Sequence, residues 1–210
     1  MKYTHLIWDF NGTILDDVDI GIEAANVLLK RRNLPLMNTR AEYQRLFRFP
    51  IIEYYKDAGF DFEKESFDDV AIEWVTEYLA RMPRTTVFAG VQETMAEVRA
   101  RGIPQILLSA TKLEMLKKQV EDIGLTHAFS EIYGLDHIHA TSKKALAEQL
   151  RARYPDGRLL FVGDTDHDLE VAQAARADCI LFAGGHQSPE RLKKLGCPVI
   201  EKIPDLLLYL

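Results

Sequence analysis

The chain has 210 residues, a net charge of −6 and 47% hydrophobic residues. That suffices for one α/β domain with a sizeable core and a small insertion, and an acidic balance speaks against nucleic acid as a partner. No apolar run approaches the ~18 residues of a membrane helix, and Cys179 and Cys197 lack the spacing of a metal or redox motif.

The first residues enter a strand with no basic segment or small-residue cleavage site before it, so no signal peptide is expected. With two isolated thiols, a cytoplasmic location is expected. Leu6-Ile7-Trp8 is a short apolar run, closed at once by Asp9, Asn11, Gly12 and Thr13. Such a run reads as a buried strand of a parallel sheet. Asp9 then stands just past the strand's carboxyl end, where open α/β sheets bind ligands. Gly12 lets backbone approach a ligand, and the N–H groups around it could cradle an anion.

Asp16, Asp17 and Asp19 lead into apolar residues at helical spacing from Ile20 to Leu29, which predicts a helix to about Arg32. Thr39-x-x-Glu42 is a capping box for a helix through Phe47. Pro50 suits a first helical position, with Gly59 as the stop. Ser66-x-x-Asp69 opens another helix that ends before Pro83. Residues 16–83 thus hold successive helices and no convincing strand. They cannot all be crossovers in a βαβ chain, so they are expected to form a helical cap. The α/β core is expected in residues 1–15 and 84–210.

From Phe88 helices and strands alternate. A helix is expected over Val91–Arg101, a strand over Gln105–Leu108 ending at Ser109, and a helix over Leu113–Ile123. A short strand follows at Ile132-Tyr133 and a helix from Ser142 to about Tyr154. Strands are expected at Leu159–Val162 and Cys179–Phe182, with a helix from about Leu169 to Ala175 between them. Ser188-Pro189 opens a short helix, and Pro198-Val199-Ile200 suits an edge strand. This alternation predicts a doubly wound parallel sheet. A second acidic cluster, Gly163-Asp164-Thr165-Asp166-His167-Asp168, follows the apolar run Leu159–Val162. Carboxylates at two strand ends suit Mg²⁺, which takes one or two carboxylates plus waters or phosphate oxygens.

Asp9-Phe10-Asn11-Gly12-Thr13 resembles the first motif of the haloacid dehalogenase superfamily, D-x-D-G-T in its phosphatase branch. Gly163-Asp164 through Asp168 resembles its fourth, G-D-x-x-x-D, and the resemblance covers essentially the whole chain. It implies a Rossmann-like core with a helical cap after the first strand, as in phosphoglycolate-phosphatase-like members. Asp9 is then the nucleophile that forms an aspartyl-phosphate. Mg²⁺ is held by Asp9, Asp164 and the main-chain carbonyl of Asn11, with Asp168 orienting waters or the lysine behind it. Ser109 and the N–H of Ala110 hold a phosphate oxygen, beside Gly12. A lysine balances the charge. Lys143 and Lys144 are the candidates, and spacing after Ser142 favours Lys143. The expected partner is a small phosphorylated metabolite, selected by cap residues such as Arg40, Arg45, Arg48, Tyr54, Tyr55 and Lys56.

One departure stands out. Where the family carries an aspartate that protonates the leaving oxygen, this chain has Asn11. A neutral amide cannot exchange that proton, and losing a general acid–base costs roughly 10²–10⁴-fold. An aspartate at position 11 is expected to fit without repacking. Beside a phosphatase short of its acid stand two other readings: a non-enzymatic phosphate or phosphoester binder, and another reaction of the superfamily, carbon–halogen or carbon–phosphorus cleavage. The last calls for a reactive cap lysine, and Lys56 and Lys64 are the lysines there. His167 and His186 read as helix-start and loop residues rather than catalytic ones.

Overall fold

The computed structural model describes residues 2–135 and 143–210. Six parallel strands form one sheet: β1 (His5–Trp8), β4 (Gln105–Lys112), β5 (Glu131–Leu135), β6 (Leu159–Gly163), β7 (Asp178–Phe182) and β8 (Val199–Ile200), in the order β5-β4-β1-β6-β7-β8. Leu6 sits opposite Gln105 on one side and Leu160 on the other. The chain fills the sheet outward from β1 in one direction and then in the other. The crevice at the carboxyl ends of β1, β4 and β6 is therefore a topological switch point, where such sheets bind ligands.

Side-chain alternation along each strand builds a core on both faces. Leu6, Trp8, Leu107, Leu160, Val162 and Ile180 pack with α5 (Val91–Ala100) and α6 (Leu113–Asp122). Ile7, Ile106, Leu108, Phe161 and Leu181 pack with α7 (Lys144–Arg153), α8 (Asp166–Ala174) and α9 (Pro189–Leu192). These strands read as continuous apolar runs because neither face meets water.

Between β1 and α5 come four α-helices: α1 (Val18–Arg31), α2 (Arg40–Leu46), α3 (Ile51–Asp57) and α4 (Phe67–Arg81). They enclose a cluster of their own around Leu28, Leu29, Tyr43, Tyr55 and Val70. Thr39 and Ser66 accept the backbone N–H bonds of Glu42 and Asp69, as N-caps do. The carboxylate of Glu42 receives Asn38 N–H instead of closing the expected box on Thr39. Two short strands escaped the sequence reading. β2 (Leu15–Asp16) and β3 (Thr86–Val87) pair antiparallel where the chain leaves for the helices and where it returns. Two residues per strand carry no period, so only the pairing itself reveals them.

Three boundaries moved. β4 continues past Leu108 to Lys112, with a register shift in between, so Ser109 lies inside the strand and not at its end. Helix α8 begins at Asp166 rather than near Leu169, because Thr165 and Asp168 close a capping box there. Helix α7 starts at Lys144, and Ser142, expected to open it, lies outside the described residues.

One polar pair is embedded in this apolar interior. Gln105, 2% exposed, accepts Trp8 Nε1–H at 3.0 Å and donates to the Met95 carbonyl at 2.9 Å. Gln105→Leu keeps the volume but leaves the buried Trp8 indole N–H unpaired and removes a bond to the Met95 carbonyl. It should lower the unfolding free energy by about 1–3 kcal/mol, read as a lower urea midpoint at unchanged slope.

Candidate active site

The polar residues gather at the switch point. β1 delivers Asp9, 3% exposed, and β6 delivers Asp164, 1% exposed. The first turn of α8 brings Asp168, and one carboxylate oxygen from each of the three lies within 4.8 Å of the others. Lys143, at the start of α7, puts its ammonium between two of them. It contacts Asp9 and donates to Asp168 Oδ1 at 2.8 Å. Lys144, its neighbour, pairs with Glu170 on the half-exposed surface. Thr13 Oγ1 spans Asp9 and Asp164 at 3.2 and 3.3 Å. The second oxygen of Asp168 accepts the N–H groups of Asp164 and Thr165 and the Thr165 hydroxyl. Asp168 therefore fixes both the lysine and the Asp164 loop.

Charge in this pocket is tightly coupled. Burial pushes Asp9 up to about 6, against the pull of Lys143. Burial drives Asp164 well above the usual carboxylate range, and Asp168 and Asp9 add to it. Burial opposes ionisation of Asp168 too, but Lys143 and the hydrogen bonds from Thr165 outweigh it and hold Asp168 low. For Lys143 burial disfavours the ammonium, yet Asp168 and Asp9 keep it raised.

Asn11, Asp17 and His186 form a second cluster beside the first. Asp17 precedes α1 at its N-cap position but makes no cap bond. Its carboxylate turns back, accepting Gly12 N–H at 2.8 Å, Asn11 Nδ2–H at 3.0 Å and the Tyr78 hydroxyl at 2.7 Å. His186 Nε2 lies 3.3 Å from Asp17, and its Nδ1 meets the Tyr43 hydroxyl at 2.8 Å. The His186 backbone N–H donates to Asp164 Oδ2 at 2.6 Å. Burial works against charge on the ring, but Asp17, Asp164 and Asp9 raise it to about 9, so it is an imidazolium at neutral pH. Asp17 in turn is held low in spite of its burial, by His186 and by the hydrogen bonds from Tyr78 and Asn11. Two glycines permit this closeness. A Cβ on Gly12, at φ +73°, would fall 2.3 Å from Asp164 Oδ2, and one on Gly185 only 2.2 Å from the same oxygen.

Several sequence expectations change here. The Gly12 N–H is occupied by Asp17 and by the Leu15 carbonyl, so it does not face an anion. Asn11 is locked on every side. Its amide donates to Asp17 and Tyr78, and its Oδ1 accepts the Thr111 hydroxyl at 3.0 Å. An aspartate at position 11 would therefore not fit neutrally, because its carboxylate would face that of Asp17. Ser109, 2% exposed, and Ala110 line the cleft, and the Ser109 hydroxyl is engaged with Thr111. Of the cap residues expected to touch substrate, Tyr54 and Tyr55 line the cleft. Arg40, Arg45, Arg48 and Lys56 do not. Arg40 is tied to Asp16 and Asp19, Arg48 to Asp57, and Lys56 to Glu53. Lys56 and Lys64, each paired to an acid one helical turn away, offer no cap nucleophile to the cleft.

The sequence reading missed Asp17, Tyr43, Tyr78 and His186. Asp17 read as a helix-start acid, and Tyr78 lies within the helix opened by Ser66, with no local sign of a role in the site. A signal was available for His186: it follows two glycines after a strand, a pairing that permits close backbone approach.

Four buried carboxylates, Asp9, Asp17, Asp164 and Asp168, face two cations, Lys143 and His186. With all four ionised, as a bound cation would favour, two negative charges would remain, the charge that one divalent ion neutralises. The donor set is all oxygen, as Mg²⁺ prefers.

Comparison with known proteins finds relatives along almost the whole chain. Residues 6–182 match the haloacid dehalogenase-like hydrolase family. A phosphoglycolate phosphatase of Rhodobacter capsulatus is 22% identical over 87% of this chain and 85% of its own length. One from Synechococcus elongatus is 24% identical over 96% and 94%. Among solved structures, a haloacid dehalogenase-like hydrolase family protein of Streptococcus pneumoniae superimposes with a TM-score of 0.82 at 16% identity, covering 99% of this chain and 98% of that one.

The raised His186 ring makes stability depend on pH. Its ion pair contributes fully below the unfolded pKa of 6.5 and is lost as pH rises through about 9. In metal-free protein, His186→Gln should cost up to about 3 kcal/mol near pH 6 and progressively less toward pH 10. Urea unfolding of both proteins across that range measures the difference. A gap that stays constant with pH would show that folding does not raise the ring's pKa.

Proposed function

The chain belongs to the haloacid dehalogenase-like hydrolases, and from that premise we propose that it is a Mg²⁺-dependent phosphatase of small phosphate monoesters. The observation that carries the reading is the buried Asp9–Lys143–Asp168 triad beside Asp164. Asp9 is held rigidly on a strand end, shielded from water and set against a cation. That is the situation of a carboxylate nucleophile.

Asp9, Asp164 and the main-chain carbonyl of Asn11 would hold Mg²⁺, which supplies charge neutralisation and polarises the phosphoryl group. Asp9 attacks phosphorus and forms an aspartyl-phosphate, which water then hydrolyses. Lys143 offsets the charge of the nucleophile and the transferred group. Ser109 and the Ala110 N–H receive a phosphoryl oxygen. Asp168 keeps Lys143 in place. The partner is a small phosphorylated metabolite rather than a nucleic acid, in keeping with an acidic chain. Two free cysteines, Cys179 and Cys197, suit a cytoplasmic enzyme. No helix among the described residues is long and apolar enough to cross a membrane.

Asp9→Asn retains shape and removes the nucleophile. Hydrolysis of a panel of phosphate monoesters with Mg²⁺ should vanish in this variant while its circular dichroism is unchanged, and EDTA should abolish wild-type turnover. Turnover surviving in folded Asp9→Asn would place the chemistry elsewhere.

Asn11→Asp sets two carboxylates about 3 Å apart, and such a pair keeps a proton. That proton can serve a leaving oxygen. The variant should raise kcat/KM on alkyl phosphates about 10²-fold or more, with little change on aryl phosphates. It should also unfold at lower urea, having lost the amide bond to Asp17. An unchanged alkyl rate would show that proton delivery does not limit this enzyme.

A further inference from the structure

We infer that the ester taken by this site carries an uncharged aromatic leaving group, so that the substrate class is the aryl phosphate monoesters. This rests on the phosphatase reading above and narrows it. Two independent features point the same way.

The first is the lining of the cleft between cap and core. Opposite Asp9 and Lys143 the cap contributes Phe47, Phe49, Tyr54, Trp74, Val75 and Leu79. Several rings are already stacked: Trp74 lies on Tyr78 with centroids 4.8 Å apart, and Phe47 lies on His186 at 5.0 Å. Among the described residues, the cap brings no lysine or arginine to this lining. The cations of the lining come from the core and are already paired, Lys143 with Asp9, His186 with Asp17 and Lys112 with Glu114, so a carboxylate or second phosphate on the leaving group would be buried there without a cation of its own, which is costly. An aromatic ring would meet offset and edge-on ring partners. The cleft encloses about 220 Å³, more than the ~150 Å³ apolar cavity that accepts benzene.

The second feature is Asn11. Both ends of its amide are committed to Asp17, Tyr78 and Thr111, and it has no proton to give. An alkyl alcohol ionises near the ~15.7 of water and needs a proton as it leaves. A phenol ionises near ~10, as tyrosine does, and leaves as the anion. In the first step an Asp9 oxygen bonds to phosphorus while the bond from phosphorus to the phenolic oxygen breaks. The electron pair departs on the phenolate, which then takes a proton from water. In the second step a water oxygen bonds to phosphorus, the aspartyl–phosphorus bond breaks, and both protons leave with the phosphate. No step asks Asn11 for a proton.

The test uses binding and turnover side by side on the full chain with Mg²⁺. Calorimetry compares phenylphosphonate with methylphosphonate, whose carbon–phosphorus bonds keep the site occupied without hydrolysis. Phenylphosphonate should bind at least about tenfold tighter. Trp74→Leu, which still covers Tyr78, should lose most of that preference while methylphosphonate binding stays within about twofold, as expected when only the ring's contact is removed. In turnover, kcat/KM for phenyl phosphate should exceed that for cyclohexyl phosphate, of similar size, by about 10²-fold or more. Equal affinity for the two phosphonates overturns the aromatic pocket. Faster hydrolysis of cyclohexyl phosphate or 2-phosphoglycolate than of phenyl phosphate overturns the inference while the phosphatase stands. Tight phenylphosphonate binding with no ester hydrolysed supports the aromatic ligand and overturns the phosphatase instead.

Discussion

The buried ammonium of Lys143, shared between Asp9 and Asp168, is the contact on which the architecture of the site depends. Three carboxylates drawn from β1, β6 and α8 would repel one another at this spacing in a dry pocket. Lys143 turns that repulsion into attachment, linking the start of α7 to the end of β1 and the first turn of α8. Asp168 then extends the order outward, through backbone N–H groups, to the loop that carries Asp164. Removing the ammonium would leave the three carboxylates buried and uncompensated.

A second set of contacts joins the helical layer to this centre. Asp17 collects Gly12, Asn11, Tyr78 and His186, and Tyr43 closes on His186 from the far side. Gln44 adds a bond to the Gly185 carbonyl, and Ser188 N–H reaches back to the Gln44 carbonyl. Position 11 is the junction between the two sets. An amide there can donate to Asp17, which an ionised carboxylate cannot do. The amide thus makes a neutral bridge between the core and α4.

What the sequence disclosed and withheld follows the range of each interaction. Leu6–Trp8 and Leu159–Val162 announced the central strands because both faces are covered, which leaves an unbroken apolar run. Asp9, Asp164 and Asp168 could be read because each sits at a fixed offset from such a run. Lys143 was harder, since its partners lie far away in the chain. Asp17 and His186 were set aside because each has an ordinary local explanation, as a helix-start acid and as a loop residue. Only folding brings them 3.3 Å apart. The β2–β3 pair, two residues a side, carries no local pattern at all.

The placement of β1 also matters for how the molecule is made. Its hydrogen-bonding partners begin at Gln105 on one side and Leu159 on the other. During synthesis β1 leaves the ribosome well before either neighbour exists. Leu6, Ile7 and Trp8, wholly buried at the end, must wait in the open with unpaired backbone on both edges. Contacts so distant in sequence form slowly, and exposed apolar strands of this kind invite aggregation and chaperone attention. A nascent chain stopped anywhere before β6 has Asp9 but no second edge to hold it. Asp9 is thus translated ahead of every other residue of its cluster and is among the last to be put in place.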